Sequence, residues 1–194
     1  MGWFARSVKE GFGVYRWHTG AVYKGFWKSN KKSGLGEYVF GDGSVYFGYY
    51  NNDRPDGIGK MTWPDGNMYI GEWKNGQRSG IGQFMWTGKE EKAHYKGNFK
   101  DNCLHGNGTF IYSDGSFYTG QFENNKRHGL GKFQWPNGSN FTGSWRDGEK
   151  HGNGKLTNGS HVIEGVWKDG KRMPDEETKS PVLTARPSDI DEIL

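Results

Sequence analysis

Three histidines, His105, His128 and His151, each stand immediately before a glycine at intervals of 23 residues. Imidazole is a frequent zinc ligand, so a repeated histidine raises the question of a metal centre. If each interval spans two strands, neighbouring histidines lie about 10 Å apart, whereas one zinc ion holds its ligands at about 2 Å. These side chains are therefore expected to cap turns. Cys103, with His105 two residues on, offers a thiol and a base. A nucleophile also needs a third group to orient the base, and the local sequence supplies none. Gly-x-Gly pairs recur throughout, but none leads into Gly-Lys-Ser/Thr or a helical stretch, so they form no phosphate cradle. No catalytic residue, metal or cofactor is expected, and the chain reads as a non-enzyme.

Two other sets carry binding chemistry. Tyr23, Trp27, Trp63, Tyr69, Trp73, Trp86, Tyr95, Tyr118, Trp135 and Trp145 form a candidate aromatic groove for a peptide or helix. Lys31, Lys32, Arg54, Arg78, Lys126, Arg127 and Lys150 form a candidate basic edge. That edge counts fourteen basic and seven acidic residues, net +7, and could meet an acidic protein strip or anionic lipid.

Both sets depend on a repeat that positions them. Tyr-x-Gly-x-aromatic occurs at Tyr23-Gly25-Trp27, Tyr46-Gly48-Tyr50, Tyr69-Gly71-Trp73, Tyr95-Gly97-Phe99 and Tyr118-Gly120-Phe122. It returns as Phe141-Gly143-Trp145 and Ile163-Gly165-Trp167, at spacings of 23, 23, 26, 23, 23 and 22. Gly-x-Gly follows eleven residues after each start, as at Gly34/Gly36 and Gly129/Gly131. The same frame fits the N-terminus from Met1. Residues two apart in a strand share a face, so each unit predicts two strands of a half-buried antiparallel sheet. Helix is disfavoured at this glycine density. Rings are expected to lie over the bare backbone of the neighbouring strand. A leucine at Gly71 or Gly120 should then clash, while a change at Lys60, on the polar face, should cost little. Gly41-Asp42-Gly43 and Pro136-Asn137-Gly138 predict tight hairpin turns, and the other connections read as loops of about six residues. The three extra residues of the long repeat fall near Lys89–Lys92. The whole predicts an all-β, single-layer meander of about seven hairpins and fourteen strands, roughly 70 Å long.

Composition agrees. Leu, Ile, Val and Phe supply only 33 of 194 residues, against 33 Gly and 31 aromatics, so an ordinary aliphatic core is excluded. Residues 1–172 carry 24 basic and 16 acidic groups, net +8; residues 173–194 carry 2 and 6, net −4. The chain thus divides into a basic repeat domain, 1–172, and an acidic, disordered or partner-held tail, 173–194. The tail ends in Asp189-Ile190-Asp191-Glu192-Ile193-Leu194, which has the character of a short docking motif. The last strand, Ile163 to Trp167, should be an open edge able to pair with a second copy. One cysteine, no secretory segment and no apolar run of about 18 residues predict a cytoplasmic protein. Nucleic acid is not an expected partner, because most aromatics belong to the packed face.

The unit of Tyr-x-Gly-x-Trp, Gly-x-Gly and Asp-Gly closely resembles the MORN (membrane occupation and recognition nexus) repeat over residues 1–172. The resemblance implies an elongated, all-β scaffold. Members serve axonemal complexes such as radial-spoke heads, membrane-apposed cytoskeleton, or myosin tails. Tyr50, Phe99 and Phe122 stand where the family has Trp, and Ser33, Asp56 and Ser79 where it has His. The implied function is a protein-protein scaffold in a cytoskeletal assembly, foremost of the cilium or flagellum axoneme. The alternative is a peripheral adaptor that binds anionic phosphoinositide membranes through the basic edge.

Overall fold

A computed structural model describes residues 8–88 and 92–175. The first turn of the repeat frame, the Lys89–Glu91 insertion and the tail from 176 onward lie outside the described residues. The described chain is one antiparallel sheet in strict sequence order. Its strands are β1 (Gly11–Arg16), β2 (Val22–Lys28), β3 (Lys31–Val39), β4 (Val45–Asn51), β5 (Arg54–Thr62), β6 (Met68–Lys74), β7 (Gln77–Thr87) and β8 (Lys92–Lys100). They continue as β9 (Cys103–Ile111), β10 (Phe117–Glu123), β11 (Lys126–Gln134), β12 (Asn140–Arg146), β13 (Glu149–Asn158), β14 (His161–Lys168) and β15 (Lys171–Arg172). The described residues form fifteen strands, against the expected fourteen or so.

A stripe of glycine crosses this sheet. Gly13 pairs with Gly25, Gly25 with Gly36, Gly36 with Gly48, and the series continues through Gly71, Gly82 and Gly120 to Gly165, one glycine from each of β1 to β14. The stripe is a valley in which rings lie. Tyr23, Tyr69, Tyr95, Tyr118 and Phe141 have no exposed surface. Each ring meets the aromatic four residues on and the equivalent ring of the next repeat, edge to face. Tyr69 packs on Trp73 at 5.2 Å and on Phe99 at 5.0 Å; Tyr118 packs on Phe122 at 5.0 Å and on Trp145 at 5.3 Å. The ladder runs unbroken from Tyr23 to Trp167 and is the core. Edge-to-face pairs contribute about 0.5–1.5 kcal/mol each beyond their buried area, which is how a single layer with few aliphatics holds together.

The tyrosine hydroxyl has its own task. In each of these hairpins the register slips by two residues just past the glycine, as between Gly25 and Trp27 and between Gly71 and Trp73. The bulge withdraws a carbonyl from the ladder. The hydroxyl supplies the missing donor: Tyr23 donates to the Phe26 carbonyl at 2.9 Å, Tyr69 to Glu72 at 2.9 Å and Tyr118 to Gln121 at 2.9 Å. Phe141 has no hydroxyl for the corresponding Ser144 carbonyl. Phe141→Tyr is expected to stabilise the sheet by about 1 kcal/mol, read as a raised urea midpoint at unchanged slope.

The connections are the reverse of the expected lengths. The supposed six-residue loops are two-residue turns with both residues at positive φ: Ser29 (49°) and Asn30 (67°), Asn52 (47°) and Asp53 (69°), Asn124 (48°) and Asn125 (68°). These are the type I′ turns that match strand twist, and Asn and Asp tolerate the left-handed region. The strands simply run further than expected, bulge included, so that Lys28 pairs with Lys31 and Cys103 opens β9 rather than sitting in a loop. The Asp-Gly segments instead form the longer bends, such as 40–44, where Asp42 accepts a bond from the Ser44 amide at 2.8 Å. In the 26-residue repeat, the hairpin gains the pairs Trp86–Ala93 and Thr87–Lys92.

The C-terminal edge is also less open than expected. β15 pairs with β14 through Trp167–Arg172 and Lys168–Lys171, and the Met173 amide donates to the Val166 carbonyl at 2.8 Å. Arg172 reaches the Glu164 carbonyl at 3.3 Å and Asp175 at 2.7 Å. The stretch of β14 left for another strand shortens to about His161–Ile163.

Candidate partner groove and basic edge

Seven of the ten groove candidates belong to the core. Tyr23, Trp27, Tyr69, Trp73, Tyr95, Tyr118 and Trp145 are all buried in the ladder. What side-chain surface remains belongs to Trp63, Trp86 and Trp135, which are half-buried and packed against the core. They stand in a second row, nearer the Asp-Gly bends. Trp17, Tyr38 and Phe40 still meet edge to face, but from Trp63 onward the rings of this row are tilted. Trp63 meets Phe84 at 5.4 Å and 32°, Trp86 meets Phe110 at 5.2 Å and 37°, Phe110 meets Tyr112 at 4.5 Å and 40°, and Phe133 meets Trp135 at 4.8 Å and 58°. The lengthened hairpin widens this row into a cleft of about 430 Å³, lined by Asn67, Trp86, Ala93, Phe110 and Tyr112. Of these three half-buried tryptophans, Trp86 alone lines it.

The basic residues divide in the same manner. Lys32 lies 4.4 Å from the Tyr38 ring centre and 5.3 Å from that of Tyr50. Arg78 lies 5.1 Å from Phe84, Arg127 4.4 Å from Trp145, and Lys150 5.5 Å from Phe141. All four, with Lys9 over Tyr15 at 3.3 Å, hold one repeat position, two residues before the glycine of the second strand. Pro55 and Leu104 fill that position in two repeats, paired with Tyr50 and Phe99. The position therefore requires a cover for the ring ladder, and a cation with a long apolar stem satisfies it. Burial lowers the pKa of Lys32, against the smaller opposing pull of Asp53. Burial, and then the Arg127 charge, lowers that of Lys150.

The covers also join the repeats. The turn residue after each hairpin donates its amide to the cover carbonyl of the repeat before: Asp53 to Lys32 at 3.0 Å, Asn125 to Leu104 at 3.1 Å, Gly148 to Arg127 at 2.9 Å. Arg127 returns a bond from Nη2 to the Gly148 carbonyl at 2.6 Å. Lys31, Arg54 and Lys126 are the exposed members of the edge, and Lys126 approaches Asp147 at 3.6 Å. Arg127→Ala should thus cost about 2 kcal/mol, by lost ring cover and a lost charged bond. Lys126→Ala should stay within about 0.5 kcal/mol, since exposed ion pairs contribute little. Urea melts of the two variants read the difference.

The histidines lie beside the I′ turns. His128 Nε2 is 3.4 Å from Glu123, and His151 Nδ1 is 3.6 Å from Asp169. No group of three or more His, Cys, Asp or Glu side chains among the described residues could hold a metal. Cys103 is half-buried and unbridged.

One feature escaped the sequence reading. The face opposite the rings, expected to be polar at Lys60, carries exposed apolar side chains over the N-terminal half. Phe12, Phe26, Leu35, Phe47, Tyr49, Ile58, Ile70 and Ile81 are all exposed. Their signal was available: the residue between the two glycines of Gly-x-Gly is Phe12, Leu35, Ile58 and Ile81 in four successive repeats.

Comparison with known proteins agrees with the repeat frame. The model of the MORN repeat matches seven times, over residues 4–22, 23–45, 46–68, 69–89, 95–117, 118–140 and 141–161. No curated protein matches the chain in sequence. Solved structures that resemble it include the SAS-4 (dCPAP) TCP domain of Drosophila melanogaster, in complex with a proline-rich motif of Ana2. It is 9% identical over 79% of this chain and 83% of that one, with a TM-score of 0.46. The G-box domain of the microcephaly protein CPAP is 12% identical over 80% and 87%, with a TM-score of 0.40. A virginiamycin B lyase from Staphylococcus aureus follows at 13% identity over 87% and 74%, with a TM-score of 0.20. MORN repeats are modules of protein or membrane interaction. The seven in-register matches, on a glycine-striped meander of the expected kind, place the chain in the MORN repeat family.

Proposed function

We propose that this chain is a non-enzymatic scaffold that holds a peptide or helix of another protein along the tilted aromatic row, in a cytoskeletal assembly and foremost an axonemal one. The observation that carries the groove is the row itself. Trp63, Trp86 and Trp135 keep accessible ring surface beside a rigid core, and a half-buried tryptophan on a fixed backbone is the usual centre of a binding hot spot. Arg127 and Lys150 flank Trp135, within a shared cleft, and favour an acidic stretch in the occupant. The cytoskeletal setting rests on the family resemblance alone.

Cross-linked pull-down from ciliated cells tests the reading. Trp63→Ala combined with Trp135→Ala should weaken capture of axonemal proteins by about 30-fold for each ring removed, given roughly 2 kcal/mol at a central ring. The circular dichroism spectrum should be retained. Undiminished capture by a folded double variant would refute the groove. Membrane binding finds less support: of the seven named edge cations, Lys32, Arg78, Arg127 and Lys150 lie over rings, which leaves Lys31, Arg54 and Lys126 exposed. Flotation with phosphoinositide vesicles, abolished by salt and by charge reversal at Lys31 and Lys126, would restore it.

A further inference from the structure

The face of the sheet away from the rings changes character half-way along. In the row beside the glycine stripe, Phe12 pairs with Phe26 and Leu35 with Tyr49, and Ile58 and Ile81 continue it. Past β7 the same row holds Asn107 opposite Gln121, Leu130 opposite Ser144, and Asn153 opposite Val166. The repeat imposes the same backbone on both halves, so the fold does not require the apolar half.

Its size is that of an interface. Phe12 is 53% exposed, Tyr49 52%, Ile58 56% and Ile81 62%, with Phe47 and Ile70 adding 50% and 42% in the adjoining row. With Phe26 (48%) and Leu35 (38%) added, and at a whole-residue area of about 200 Å², the patch offers about 800 Å², the share of one partner in a standard interface. The largest apolar patch of a typical monomer is about 300–600 Å².

Its charge is that of a surface meant for itself. Lys24, Glu37, Lys60 and Glu72 lie among the apolar side chains, each cross-strand from one of them: Val14, Phe47, Ile70 and Ile58. In these two central rows two cations and two anions sum to zero, and Arg16, Lys28 and Lys74 stand at the strand ends, on the rim. An isologous contact brings a patch against its own copy, so a patch of one sign would repel itself, and a balanced one can pair Lys with Glu across a two-fold axis. The other half of the face, with Lys96, Lys132 and Lys155 against Glu164, lacks that balance.

We propose that the outer face of β1 to β7 is a homodimer interface, in which two chains pack sheet on sheet through Phe12, Phe26, Phe47, Tyr49, Ile58 and Ile81. The contact buries the face that the ladder leaves bare and leaves the aromatic row on the outside of the dimer. It does not depend on the groove reading.

Sedimentation of the full chain over low to high micromolar concentration tests it. The wild type should reach twice the 22.0 kDa protomer mass. Phe47→Lys combined with Ile58→Lys should raise the dimer dissociation constant about a hundredfold or more, because it buries unpaired charge in the contact. Both residues are exposed in the protomer, so its melting in dilute solution should be unchanged. Leu130→Lys, on the polar half, should dimerise as the wild type does. A wild type that stays monomeric throughout overturns the proposal. So does a double variant that still dimerises, which would put the contact elsewhere, for example at β14. A monomer that dimerises only after deletion of residues 1–7 also overturns it, since the occupant would then be the chain's own segment.

Discussion

Gly71→Leu should lower the stability of the sheet by about 4 kcal/mol or more, enough to unfold its centre. Even a methyl group at Gly71 would lie 2.5 Å from Tyr69 Oη, 2.5 Å from the Gly82 Cα and 2.7 Å from the Ile81 carbonyl oxygen. The last two are backbone, which cannot rotate aside. Tyr69 cannot leave either, since its ring packs between Trp73 and Phe99 and its hydroxyl is bonded to the Glu72 carbonyl. Displacement of one ring therefore disturbs two repeats. Lys60→Leu, on the opposite face, meets no such wall and should stay within about 0.5 kcal/mol. Melting of Gly71→Leu within a degree or two of the wild type would show that the glycine valley is incidental to the fold.

The valley and the ladder were legible in the sequence because both follow from period-two alternation in a 23-residue frame. Tyr, Gly and Trp on one face allow few arrangements other than rings on bare backbone. The turns were misread for a local reason. Asp-Gly is a strong tight-turn signal, and it drew attention from Ser29-Asn30, Asn52-Asp53 and Asn124-Asn125, whose residues also accept positive φ. Once the two-residue turn is placed there, each such hairpin must contain a bulge to keep the glycines paired, and the recurring geometry of the hydroxyl bond follows. The binding candidates were legible as residue types but not as surfaces. Trp73 and Trp86 are alike in sequence, and only the ladder separates the buried ring from the half-exposed one. Arg127 and Lys126 are adjacent, yet strand alternation places one over Trp145 and the other beside Asp147 in solvent. The apolar outer face was hard to read in the sequence because Phe12, Leu35, Ile58 and Ile81 stand inside Gly-x-Gly, a motif that packing alone explains.

The same ladder predicts a sharp alkaline limit. Six tyrosines, Tyr23, Tyr46, Tyr50, Tyr69, Tyr95 and Tyr118, are buried, and burial is the main cause that raises each pKa above its ordinary value near 10. Tyr23, with a smaller push from Asp53, and Tyr118, partly offset by Arg127, are each pushed up to about 12. Below pH 10 these phenols are neutral in both folded and unfolded chains, and their contribution to stability is complete. Above pH 10 the unfolded chain loses protons that the folded chain retains, so stability falls as pH rises. Each such group removes about 1.4 kcal/mol per pH unit, and six together about 8 kcal/mol per unit. A domain with the usual 5–15 kcal/mol of stability should then unfold within about one to two units above pH 10. Tyrosinate absorbance and the loss of sheet dichroism should rise together, in one cooperative step. Tyr46→Phe with Tyr95→Phe should flatten the dependence by about a third, since two of the six linked protons are gone. Gradual tyrosinate formation through pH 11 with the sheet spectrum intact would mean that these hydroxyls ionise in place. Burial of the Tyr46 and Tyr95 rings would then not be enough to keep them neutral.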